Sequence, residues 1–227
     1  MIRASAHQGS GLFTSKGKQC MTNSLAAILQ RKNKSVKEWT AETLDEILTN
    51  GDNLYIIHNV DTYLMLEDLK PACPNYYKSL HIGSVLTGTT LNFHLNNLPY
   101  FTLEEAFDTV LSNNESSCIF TMGSTNSSYS TVILYDSNMY YMFDPHSRNE
   151  AGMPTPDGCA VLTIHNDIKS LSLFIRHISA HLDKKKDIPF EVANITTIVD
   201  QAEDSDTEFD GFSCVSEGDL VCRLSML

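Results

Sequence analysis

The apolar pattern of this chain predicts an α+β domain, with helices first and a mostly antiparallel sheet after them. Two observations carry that reading. Apolar positions recur at helical spacing in the segment that begins at Cys20, whereas β-branched and aromatic runs broken by turn residues crowd the stretch 117–164. At 227 residues, 42% of them hydrophobic and 19% charged, the chain has apolar material for one core and the length of a domain plus a tail.

Residues 1–19 are rich in Gly, Ser and Lys and lack hydrophobic periodicity, so they read as an irregular lead-in. The first helix begins at Cys20 and runs through MTNSLAAILQRK. Leu25, Ile28 and Leu29 share one face, and Arg31 and Lys32 fall where a helix C-terminus favours positive charge. A second helix is predicted over AETLDEIL, capped by Thr40 and with Gly51 just beyond its end. Residues 54–60 and 62–66 are short apolar runs that fit a strand or a buried helix equally. Helical spacing returns over 103–111. SCIFTMG, STVILY, MYYMF and CAVLTI are predicted strands, and Asp136-Ser137-Asn138 turns two of them into a hairpin that ends in Asp144-Pro145-His146. A helix over 167–182 and a strand over 189–199 complete a domain with boundaries 1–200. Residues 201–227 are acidic and short of core residues, the composition of a tail or of a linker within a larger polypeptide.

The formal net charge is −12, from 28 acidic and 16 basic residues, which disfavours a phosphate backbone, so no nucleic-acid partner is expected. The same balance suits a basic protein or peptide, and equally suits plain solubility. No apolar run is long enough to span a bilayer, and MIRASAHQGSG contains no apolar signal core. The expectation is an intracellular protein of cytoplasm or nucleus with no membrane partner. The cysteines at 20, 73, 118, 159, 214 and 222 form neither a CxxC pair nor a cluster, which fits a reducing compartment and offers no zinc framework.

A cysteine in the first turn of a helix is placed to react, because the helix dipole and free N–H groups stabilise a thiolate. Cys20 has that placement, with Lys16 and Lys18 nearby, although a free cysteine taken alone is more often a small buried apolar group. Side chains two apart on a strand share a face, so Asp144 and His146 are expected side by side, with Pro145 marking a strand end or edge. A carboxylate there can accept the imidazole N–H, fix the tautomer and aim the other nitrogen at a thiol. An isolated Asp-Pro-His is more often a surface turn; an early helical nucleophile paired with a late strand histidine is the spatial logic of papain-like proteases. The backbone N–H of Cys20 and the amide of Gln8 are the candidate oxyanion donors.

The run Gln8…Gly17-Lys18-Gln19-Cys20-Met21-Thr22-Asn23-Ser24, followed by Phe143-Asp144-Pro145-His146-Ser147, resembles the deubiquitinase domain at the N-terminus of herpesvirus large tegument proteins and its tegument-like relatives. Those are papain-like cysteine proteases. The resemblance implies a papain-like deubiquitinase domain over 1–200, a thiol-dependent hydrolase of the bond after the C-terminal glycine of ubiquitin. The family's nucleophile falls on Cys20, its Asp-x-His pair on Asp144 and His146, and its oxyanion glutamine on Gln8. It further implies ubiquitin or polyubiquitin as partner, no metal or organic cofactor, and the virion tegument as location if the source is viral. A protease for another ubiquitin-like modifier, an acyltransferase on the same residues and a non-catalytic ubiquitin-binding module are the rival readings.

Other motifs fail on their own chemistry. In GSGLFTSKGKQ, Leu12 stands where a phosphate-binding loop requires its first glycine and Gln19 where it requires Ser or Thr. His177 and His181 are four apart on a predicted helix but lack the glutamate and third ligand of a metal site, and read as solvent-facing.

Overall fold

The computed structural model describes residues 1–58, 61–68, 80–91, 100–112, 116–124, 127–182 and 187–197. The predicted acidic tail, 201–227, lies outside them. The elements are β1 (Ile2–Arg3), α1 (Cys20–Asn33), α2 (Ala41–His58), β2 (Leu80–Thr89), α3 (Leu103–Val110), β3 (Ser117–Ser124), β4 (Ser127–Asp136), β5 (Met139–Arg148), β6 (Cys159–His165), α4 (Ile168–Leu182) and β7 (Pro189–Thr197). The strands form a seven-stranded sheet in the order β1-β6-β5-β4-β3-β7-β2, with every pairing antiparallel.

Each face of the sheet carries a core. Val132, Leu134, Tyr141, Phe143 and Leu162 point to one face and pack with Leu25 and Ile28 of α1 and Leu44 and Ile47 of α2. The alternate residues Ile133 and Met142 point to the other, against Phe107 of α3 and Leu171 and Ile175 of α4. Burial on both faces is why the central strands read as nearly continuous apolar runs. The hairpin between β4 and β5 closes through Ser137 and Asn138, both at positive φ (52° and 62°), the conformation a two-residue turn of this hand requires.

Helix α1 is buried without interruption from Cys20 to Ile28, because it lies between α2 and the sheet. Its predicted one-sided face is therefore too narrow: Thr22, Asn23 and Ser24 are buried too. Thr22 and Ser24 satisfy their hydroxyls by donating to the carbonyls of Gln19 (3.0 Å) and Cys20 (2.9 Å).

Helix α2 begins as predicted after Thr40, which exchanges hydrogen bonds with Thr43 in the reciprocal manner of a capping box. It does not stop at Gly51. The helix runs on to His58 and absorbs most of the first ambiguous apolar run, and Gly51 sits in its interior for a packing reason. A Cβ at Gly51 would lie 1.9 Å from Asn23 Oδ1 and 2.7 Å from Asn23 Cα, so α1 and α2 can approach this closely only where one lacks a side chain. The second ambiguous run is neither strand nor helix over Tyr63–Met65 and enters a 3-10 turn at Leu66–Asp68. Strand β2 was not legible: Gly83 and Gly88 interrupt it, a bulge falls between Ile82 and Val85, and burial does not alternate along it.

Candidate active site

Cys20 is the first residue of α1, and Gln19, at the N-cap, makes no capping bond with its side chain. That side chain instead reaches back, its Nε2 donating to the Gln8 carbonyl at 2.9 Å. Burial pushes the Cys20 thiol up; hydrogen bonding and charge attraction from His146, with smaller hydrogen-bond contributions from the backbone and hydroxyl of Ser130 on β4, outweigh it and leave the thiol below its ordinary value. Cys118 shows the contrast. It is fully buried with little beyond a backbone contact at Ile133 to oppose desolvation, and its thiol is pushed far up. Lys18 is engaged with the Asp61 carboxylate rather than with the thiol.

Asp144 and His146 meet, but across an irregular stretch of β5. The register against β6 pairs Asp144 with Val161 and Arg148 with Cys159, so β5 carries extra residues between those points. Pro145 falls there, inside a central strand and not at its end, because the ladder is already broken where its missing N–H would have been needed. Asp144 Oδ1 accepts from the His146 ring Nδ1 at 2.8 Å and from the His146 backbone N–H at 3.0 Å. Burial opposes a charged His146, but its bonds to Asp144 and Cys20 prevail and raise it to about 9. The two shifts support one another, each partner favouring the charged form of the other.

Gln8 is buried at 4% exposure. Its backbone N–H donates to the Pro145 carbonyl at 2.9 Å, and its carbonyl receives Gly17 N–H at 3.0 Å. One residue thus ties the lead-in both to the strand of His146 and to the loop before Cys20. The Gln8 Oε1 accepts from Asn23 Nδ2 at 3.4 Å, which leaves the Nε2 hydrogens without a partner among the described residues. His7, beside it, is lowered by burial and by the positive charge of His146. Among the described residues no group of three or more His, Cys, Asp and Glu side chains is placed to hold a metal ion, and His177 and His181 face solvent.

The family described as Herpesvirus tegument protein, N-terminal conserved region, matches residues 3–198. The chain belongs to that family. Among solved structures this tegument-family chain is similar to the ubiquitin-specific protease encoded by murine cytomegalovirus tegument protein M48, determined in complex with a ubiquitin-based suicide substrate. The TM-score is 0.68 at 15% identity, over 98% of this chain and 92% of that one. It is similar also to the Pseudomonas avirulence protein AvrPphB, with a TM-score of 0.51 at 7% identity, over 85% of this chain and 97% of that one. At such identities the likeness is one of fold, and the fold is that of papain-like cysteine proteases. Compared with curated proteins, the chain has no match. No described helix is long and apolar enough to cross a membrane.

Sequence reasoning missed the residues that surround this tegument-family site. Tyr129 and Ser130 lie on β4 in a run whose importance depends on register, and Arg148 looks like an ordinary polar residue of a strand end. A signal for the first two was present: continuing the pairing Val132↔Phe143 outward sets Ser130 opposite Pro145 and Tyr129 opposite His146.

Proposed function

We propose that this domain is a thiol deubiquitinase in which Cys20 is the nucleophile, His146 its acid and base, Asp144 the group that orients His146, and Gln8 a donor to the oxyanion. The observation that carries the reading is the place of the His146 ring, held by the Asp144 carboxylate at 2.8 Å on Nδ1 and acting on the thiol at the start of α1, whose titration it lowers. Ubiquitin as substrate is supported by the tegument family and by the likeness to a protease solved with a ubiquitin-based suicide substrate. The virion tegument and the infected cell are the location the family suggests.

The Cys20 thiolate attacks the carbonyl carbon of ubiquitin's last glycine, and negative charge moves to the carbonyl oxygen. The Cys20 backbone N–H, which has no intrahelical acceptor at the first helical position, and the Gln8 Nε2 hydrogens, unpartnered among the described residues, stabilise that oxygen. His146 gives its proton to the departing lysine amine as the C–N bond breaks, leaving a thioester. It then takes a proton from water, whose oxygen attacks the thioester and expels the Cys20 thiolate.

Ubiquitin bearing a C-terminal electrophile, tested beside ubiquitin-like modifiers with the same group, separates the readings. The expected result is one covalent adduct, with ubiquitin, mapped to Cys20 and absent in Cys20→Ala, which still binds ubiquitin. An adduct on another cysteine would move the nucleophile, and none with any modifier would sink the assignment.

A further inference from the structure

Asp144 is 1% exposed, and a carboxylate so buried needs neighbouring donors to satisfy both of its oxygens. Its oxygens divide the task. Among the described residues Oδ1 serves His146 alone, through ring and backbone. Oδ2 faces the other way and accepts from the Tyr129 hydroxyl at 2.5 Å and from Arg148 Nε at 2.6 Å. Arg148 is itself 1% exposed and returns four residues along β5 to reach the carboxylate. Burial pulls the guanidinium to about 9, still cationic at neutral pH.

Tyr129 does more than donate. Its ring lies nearly parallel to the His146 imidazole, with centroids 3.8 Å apart and planes 16° apart, and the Arg148 guanidinium carbon lies 4.8 Å from the centroid of the same tyrosine ring. The ring therefore blocks one side of the imidazole while the hydroxyl fixes the carboxylate that orients it.

Resting on the reading of Cys20, His146 and Asp144 as the catalytic line, we infer that Tyr129 and Arg148 are positioning residues that hold Asp144 in place and balance its charge. With both donors on Oδ2, the carboxylate cannot rotate without losing two bonds, so Oδ1 stays with His146. The charges of thiolate, imidazolium, carboxylate and guanidinium then sum to zero in a buried line, and without Arg148 that line is left with an uncompensated negative charge.

The test uses Tyr129→Phe, which keeps the stacked ring, Arg148→Gln, which removes the charge, and Arg148→Lys, which keeps it. Two readouts are taken: turnover of a ubiquitin C-terminal fluorogenic substrate, and the pH dependence of Cys20 alkylation by iodoacetamide, followed on the Cys20 peptide. Tyr129→Phe is expected to lower kcat about tenfold with KM unchanged, because the lost bond is to a charged group remote from substrate. The acid limb of Cys20 alkylation moves to higher pH, by about half a unit in Tyr129→Phe and about one unit or more in Arg148→Gln, and Arg148→Lys recovers most of it. The groups facing His146 are Cys20 from α1, Asp144 from its own strand, Tyr129 from β4 and His7 from the lead-in, so the shifts must persist in a His7→Gln background. Alkylation profiles and kcat that superimpose on the parent in Tyr129→Phe and Arg148→Gln overturn the inference. Should Arg148→Gln fail to fold, Tyr129→Phe decides alone. If the parent does not cleave ubiquitin yet the alkylation limbs shift as stated, the deubiquitinase reading falls and the positioning role stands.

Discussion

Asp144→Asn should damage the fold as well as the chemistry, for a reason visible in the four bonds the carboxylate accepts. His146 presents two N–H donors to Oδ1, and Tyr129 and Arg148 present two more to Oδ2. An amide offers one oxygen. If it faces His146, the NH2 group points at the Arg148 Nε–H; if it faces Arg148, the NH2 group points at the His146 N–H groups, and the ring must change tautomer or turn away. In both orientations Arg148 keeps its charge in a place that water does not reach. Breaking a buried pair from one side costs about 3–5 kcal/mol, so the variant should melt well below the parent. Turnover should fall by about a thousandfold, the upper part of what loss of an orienting carboxylate does to a thiol nucleophile, equivalent to about 4 kcal/mol in the barrier. The assay is steady-state cleavage of a ubiquitin C-terminal fluorogenic substrate at a temperature where the variant is folded, with thermal melts alongside. Adding Arg148→Gln tests the physical cause: the double variant should recover about 1–3 kcal/mol of stability over Asp144→Asn and none of the turnover. If Asp144→Asn melts and cleaves like the parent, the carboxylate anchors neither the guanidinium nor the imidazole, and both arguments fail together.

Gln8→Ala should lower kcat about a hundredfold and leave KM nearly unchanged, the result expected for a donor that meets the oxyanion only in the transition state; equal effects on KM would refute it. Gly51→Ala should destabilise the protein by about 1–3 kcal/mol through the clash with Asn23, and should weaken turnover because Asn23 also holds Gln8; an unchanged melt would show that α1 and α2 can part without cost. In the pH profile of kcat/KM the alkaline limb should lie near 9, because His146 is raised and must keep its proton for the leaving amine, while the acid limb should lie below the ordinary thiol value because Cys20 is lowered. An alkaline limb near the ordinary imidazole value of about 6.5 would show that Asp144 and Cys20 do not support the charge on His146.

The parts of the fold that the sequence declared are those where local chemistry and burial agree. The hairpin of β4 and β5 was legible because Ser137-Asn138 suits a tight turn and the flanking runs are β-branched or aromatic. Helix α3 carries its own start signal, the capping box of Thr102 and Glu105. Legibility failed where tertiary contact overrode local preference. Gly51 looks like a helix stop and is a helix contact; β2 has the glycines of a loop and is held as a strand by its long pairing with β7. In the candidate site, Cys20, Asp144 and His146 stand out by residue type and spacing, whereas Gln8 had only an amide of suitable chemistry in a Gly-rich lead-in and the resemblance to mark it. Tyr129 was legible only by carrying the hairpin register outward to His146, and Arg148 announced nothing, because a buried arginine cannot be told from an exposed one by its neighbours in sequence.

The segment from Asp144 to Arg148 carries most of what the site needs, and its order has a physical logic. A regular strand would hand each backbone group to its neighbours in the sheet; this one leaves the β6 register between Asp144 and Arg148 and frees those groups for other partners. Proline is suited to the second position, since it has no N–H to lose, and its carbonyl takes the Gln8 N–H. Through that bond the candidate oxyanion donor is fixed to the peptide between the orienting acid and its histidine. His146 spends its own N–H on Asp144, a local bond that keeps carboxylate and imidazole together. Arg148 re-enters the ladder opposite Cys159 and reaches back to the carboxylate; a Cβ on Gly158 would meet the Arg148 backbone at 2.3–2.6 Å, so the return depends on glycine across the strand. Gly158→Ala should therefore disturb turnover through Arg148 and Asp144 from a position that touches neither thiol nor substrate.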